Sequence, residues 1–110
     1  MTTLHIWQNK TDKSMKAFEV FGHAGYARHH EKDIICSAVS ILTINTINYM
    51  EFLGEQFTLD TDERSGLIRC VFNRPIGHDS EVLMAAMISG FAHIQKEYGK
   101  KYIEILIEEV

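Results

Sequence analysis

The sequence predicts an α+β fold of ββαββαβ order, a single two-layer domain over residues 1–110 in which two helices pack on an antiparallel-rich sheet. Three observations predict it. Short β candidates come in pairs around polar turns, at 4–23 and 56–72. Each pair is followed by a long stretch with helical spacing of apolar residues, at 33–53 and 80–98. The length of 110 residues, with 45% hydrophobic and 24% charged content, is enough for one core and too little for two.

Leu4 to Gln8 alternates apolar and polar residues, "NKTDKSM" supplies turn chemistry, and Lys16 to His23 returns as the second strand. Side chains alternate across a strand, so Ala17, Glu19, Phe21 and His23 share one face, while Phe18, Val20 and Gly22 share the other. Residues 24 to 32, "AGYARHHEK", have the composition of an exposed loop, and the glycine and polarity of Gly25 to Lys32 suit a lid. Asp33 is suited to cap a helix that continues to about Leu53, with Gly54 fitted to the position just past its end. Apolar residues from Ile34 to Leu53 cover far more than one stripe of that helix, which predicts burial on more than one side, by another layer or, as favoured here, by the second subunit of a homodimer.

Gln56 to Asp60 and Leu67 to Phe72 flank "TDERSG", a second hairpin. A helix from Ser80 to Tyr98 follows, with Gly99 placed to end it, and Tyr102 to Ile107 closes the chain as a strand. No low-complexity tract and no internal repeat interrupts this order.

Eleven Lys and Arg against fifteen Asp and Glu give a formal charge of −4. The basic residues are scattered rather than gathered on one face, which disfavours direct nucleic-acid binding. The start "MTTLHIWQNK" lacks a secretory signal, and no segment reads as a membrane span of about 20 apolar residues. The expectation is a cytoplasmic protein without a membrane partner. Cys36 and Cys70 read as free thiols, because that compartment keeps thiols reduced. Cys70 lies mid-strand beside Ile68 and Phe72, as a core residue would.

With Asp33 as cap, Cys36 falls in the first helical turn, where unpaired amides and the helix dipole favour a thiolate. A nearby imidazolium from His23 would favour it further, and the amides of Cys36 or Ser37 would be free to donate to an oxyanion. On the helical wheel Cys36 lies beside Ser40 and Thr43. Each residue also has a plainer reading. A free cysteine in a helix is most often a small buried hydrophobe, a histidine at a strand end is most often structural, and Asp33 is by default only a cap. His29 and His30 have no ligand spacing with His23 and Cys36, so no metal site and no cofactor is expected. His5, His78 and His93 have no partner that the sequence identifies.

"GHA" at 22–24, followed after a polar loop by "DIICSAVS" at 33–40, resembles the ribosomal-processing cysteine protease family, Prp. The resemblance implies Cys36 as nucleophile and His23 as general base, with twelve residues between them, and Asp33 as a possible supporting residue, beside Ser37 from its amide at the helix start. It implies a cytosolic homodimer that removes the short N-terminal extension of large-subunit ribosomal protein twenty-seven, cleaving after an aromatic pair. Aromatic side chains before the scissile bond would need an apolar cleft, for which Tyr26, Ile35, Val39 and Ser40 are candidates by proximity in sequence. Two alternatives stand beside this reading: a noncatalytic ribosome-assembly binding module, and a thiol redox protein with Cys70 as resolving cysteine.

Overall fold

The computed structural model describes residues 1–22 and 30–110, and within the first helix it describes side chains from Ile34 onward. Strands β1 (Thr2–Gln8) and β2 (Met15–Phe21) form a hairpin and precede α1 (His30–Phe52). Strands β3 (Phe57–Asp62) and β4 (Leu67–Phe72) form a second hairpin, followed by α2 (His78–Tyr98) and β5 (Ile103–Glu109). The observed order is the ββαββαβ expected from alternation and turn chemistry.

The first turn is built by its own side chains. Asn9 Oδ1 accepts the amides of Thr11 and Asp12, and Asp12 Oδ1 accepts both the amide and the hydroxyl of Ser14. These are the local bonds that make Asn and Asp turn formers. The strands lie in the order β3-β4-β2-β1-β5. All neighbours are antiparallel except β1 and β5, which run parallel and pair from Thr2 with Ile103 to Gln8 with Glu109.

One sheet face carries Leu4, Ile6, Phe18, Val20, Cys70, Phe72 and Ile103, all buried against the helices. Met84, Met87, Phe91 and Ile94 of α2 and Ile35, Val39, Ile47 and Met50 of α1 complete this core. The other sheet face is open and carries cross-strand pairs, among them Arg69 with Glu19 at 2.8 Å and His5 with Glu108 at 3.0 Å. His5 also stacks on Trp7 with ring centroids 3.8 Å apart, so it has the partners that its local sequence did not reveal.

Two expectations about α1 change. The helix is already formed at His30, one turn before Asp33. Asp33 is therefore inside the helix rather than its cap, and residues 30–32 belong to the helix rather than to the loop. Glu and Lys are strong helix formers, so "HEK" extends the element without cost. The C-terminal end is as expected. Gly54, at φ 83°, donates to the Glu51 carbonyl and Glu55 donates to that of Met50, the paired bonds of a Schellman motif.

The second change concerns apolarity. Ile34–Phe52 has the length and mean hydropathy, 1.2, of a membrane span, where the expectation was that no segment does. In this fold one side of the helix is core. The excess apolar surface, Ile34, Ile41, Ile44, Tyr49, Phe52 and Leu53, is exposed. At the α1–α2 contact Gly90 lets the helices close together, since a Cβ there would stand 2.8 Å from a Leu42 methyl.

Candidate active site

α1 runs beside β3 and β4 and leaves a groove between them of about 410 Å³. That volume lies in the range of small-molecule and peptide sites. Cys36 lines this groove, as do Val39, Ser40, Thr43, Ile44, Ile47 and Asn48. The spacing of three and four residues puts all of them on one flank of the helix. The facing wall comes from Leu59, Thr61, Asp62 and Glu63 of the second hairpin. The floor is formed by Val20, Leu67 and Ile68.

Gly22 also lines the groove. It is the residue before His23, so the chain enters the segment that holds the candidate base from the same groove that holds the candidate nucleophile. Gly22 has φ 86°, and its amide donates to the Ser65 carbonyl at 3.1 Å. Thr2, buried and part of the same lining, donates its hydroxyl to the Gly22 carbonyl at 3.5 Å.

The two thiols differ in their surroundings. Both are free. Cys36 is partly exposed, whereas Cys70 is buried in the core, where burial pushes its thiol up to about 12. A thiol held protonated in this way is a poor nucleophile.

The remaining site residues sort as follows. Val39 and Ser40 reach the groove, the first buried and the second exposed. Ile35 does not: it is fully buried among the core residues of α1 and the sheet. It follows Ile34 by one residue, about 100° around the helix, and that rotation carries it from the surface into the core. Ser37 lies on another flank, in the shallow groove between α1 and α2 with Ile41 and His93. His23 and Tyr26 lie outside the described residues, as does the side chain of Asp33.

The earlier helix start also removes the expected oxyanion donors. With α1 starting at His30, Cys36 is nearly two turns inside. In an α-helix the amides of Cys36 and Ser37 are spent on the carbonyls of residues 32 and 33. Leu59, Thr61, Leu67 and Ile68 are lining residues that sequence reasoning missed. They are brought to the groove that Cys36 lines by sheet order, which no local signal near residue 36 encodes. Among the described residues, no three His, Cys, Asp or Glu side chains are grouped to hold a metal ion.

A partly exposed thiol in the wall of a peptide-sized groove fits the class of the cysteine peptidases. A family model described as Cysteine protease Prp matches residues 1–104, and the chain belongs to that family. It is 27% identical over 92 residues to the ribosomal processing cysteine protease Prp of Bacillus subtilis (strain 168), covering 79% of this chain and 81% of that one. Two crystal structures of the essential ribosomal processing protease Prp from S. aureus share the fold. The one with a covalently linked product peptide superposes with a TM-score of 0.85 at 21% identity, over 98% of this chain and 100% of the other. The one with a substrate peptide gives 0.86 at 18% identity over the same shares.

Proposed function

We propose that this cysteine protease uses Cys36 as nucleophile and His23 as general base to remove the short N-terminal extension of large-subunit ribosomal protein twenty-seven, cleaving after an aromatic pair. The observation that carries the assignment is that Cys36 and Gly22, the residue preceding His23, line one groove. The ribosomal-processing role of the Bacillus subtilis relative and the peptide complexes of the S. aureus protein support the substrate class.

The chemistry is acyl transfer. His23 takes the thiol proton as the Cys36 sulfur attacks the peptide carbonyl, and the imidazolium then gives that proton to the departing amine. The thioester left on Cys36 is attacked by a water that His23 deprotonates, which releases the new carboxyl end and restores the thiol. The apolar floor of Val20, Leu67 and Ile68 is suited to aromatic side chains next to the scissile bond.

The protein works in the cytoplasm, where its ribosomal substrate is made, and as a homodimer. Exposed Ile41, Tyr49 and Phe52 on α1 support the dimer, because an apolar ridge of that kind is ordinarily covered by a partner. Light scattering on wild type and Phe52→Asp tests it, with the expected mass falling by half in the variant.

The decisive experiment incubates the protein with a peptide spanning the extension junction and identifies the products by mass spectrometry, beside Cys36→Ala and His23→Ala. Cleavage after the aromatic pair that both substitutions abolish is the expected result. An intact peptide with folded wild type would shift the reading to a noncatalytic ribosome-assembly module.

A further inference from the structure

Thr2, Leu4 and Ile6 alternate along β1 on the face that the helices cover, and all three are buried. Leu4 and Ile6 are the residues such a face calls for. Thr2 is not, because it pairs with Ile103 and shares its end of the groove with Val20 and Ile47. A valine has nearly the same shape without a hydroxyl to desolvate, so the hydroxyl needs a partner that offsets its burial at 2% exposure. That partner is the Gly22 carbonyl, at 3.5 Å. Hydrogen bonds of this length at active sites tighten when substrate is bound.

The Gly22 carbonyl belongs to the peptide group that joins Gly22 to His23. The peptide group on the other side of Gly22 is held as well, since the Gly22 amide donates to the Ser65 carbonyl at 3.1 Å. The Met1 carbonyl oxygen stands against the Cα between them, where it would overlap a Cβ. Thr2 is itself fixed, its amide donating to the Tyr102 carbonyl at 2.8 Å. A glycine without such anchors is free to turn about both of its backbone bonds.

We infer that Thr2 is a positioning residue for the cleavage reaction, its hydroxyl setting the rotation of the Gly22–His23 peptide group and so the direction in which the chain delivers His23 to the groove. The inference rests on the reading of His23 as general base. A misplacement of about 1 Å in a reacting group costs up to about a hundredfold in rate, so one bond to the preceding carbonyl is enough to be felt in turnover.

The test measures kcat and KM for the junction peptide, and stability in urea, for wild type, Thr2→Val, Thr2→Ser and His23→Ala. Thr2→Val keeps the shape and loses the donor. Gly22 is only half-buried, so its carbonyl can turn to water, and the variant is expected to be at least as stable as wild type. Its KM should stay within about twofold while kcat falls about tenfold. Thr2→Ser keeps the donor and loses a buried methyl, so it is expected to be less stable yet to hold kcat within about threefold of wild type. Stability and turnover then rank the two variants in opposite orders, which a purely structural role would not produce. Wild-type kcat in Thr2→Val overturns the inference, and so does a kcat that follows stability through the series. If His23→Ala cleaves as fast as wild type, the reading of the base falls and the inference with it. If His23→Ala is inactive while both Thr2 variants match wild type, the positioning role alone falls.

Discussion

Gly22 donates its amide to the carbonyl of Ser65 at 3.1 Å, which ties the end of β2 to the turn between β3 and β4 beside Cys36. The bond holds Gly22 at φ 86°, a left-handed conformation, and a Cβ on that residue would overlap the Met1 carbonyl oxygen. Gly54 has nearly the same φ, 83°, with nothing near its missing Cβ. The comparison separates conformational cost from crowding. Gly54→Ala is expected to lose about 1 kcal/mol, the ordinary left-handed penalty, and Gly22→Ala distinctly more. Urea unfolding of the two variants measures the difference. Peptide cleavage by Gly22→Ala should fall further than its folded fraction accounts for, because the residue leads into His23.

The two thiols should separate by reactivity. Iodoacetamide at neutral pH is expected to label Cys36 in the native protein and both cysteines after denaturation, as read by intact mass. Stability should also depend on alkaline pH. Burial raises the Cys70 thiol to about 12 in the folded state, whereas an unfolded cysteine ionises near 8.5. Between these values the native state keeps a proton that the unfolded state has lost. The contribution is therefore complete below about pH 8.5 and declines as pH rises toward 12. Urea titrations of wild type and Cys70→Ala across that window should show a shallower decline in the variant, on top of the lower baseline that its cavity produces.

Ile35 and Ser37 flank Cys36 in sequence and differ in consequence. Ile35→Ala removes a fully buried side chain and is expected to cost about 2–5 kcal/mol. Its effect on cleavage should be the same for every peptide sequence, as a loss of folded protein requires. Ser37→Ala, at an exposed position away from the Cys36 groove, should change stability by less than about 0.5 kcal/mol. Thermal unfolding alongside kcat/KM for two peptides distinguishes the pair.

Leu42 and Gly90 should be energetically coupled. A Cβ at position 90 would lie 2.8 and 2.9 Å from the two Leu42 methyls, closer than carbon contacts allow. Gly90→Ala is expected to be better tolerated in a Leu42→Ala background than in wild type, by at least about 0.5 kcal/mol. A double-mutant cycle on denaturant unfolding reads the coupling, and additive effects would mean that the helices reposition freely.

What could be read from the sequence was the local part. Leu67–Phe72 appears with the expected bounds because alternation and the turn before it are encoded within a few residues. The end of α1 was legible through Gly54 for the same reason. Its start was not, since Asp33 looks like a cap only while "HEK" is assigned to the loop. That one-turn difference removes the amides of Cys36 and Ser37 as oxyanion donors. That Cys36, Leu59 and Ile68 line one groove depends on β4 pairing with β2, a contact between residues far apart in sequence. Neighbours in sequence were therefore a poor guide to neighbours in the groove, and Ile35 is the clearest instance.

The parallel register of β1 and β5 also sets an order of events during synthesis. Thr2 pairs with Ile103 and Gln8 with Glu109, so β1 acquires one of its two neighbours only when β5, about 100 residues later, has emerged. Until then β1 is a sheet edge with open backbone groups, and α2 lacks the strand against which it packs. A nascent chain can carry its thiol helix and both hairpins well before it has a closed core. Closure of the sheet thus waits on the pairing of the two strands farthest apart in sequence, which makes the groove that holds the thiol dependent on the slowest kind of contact to form.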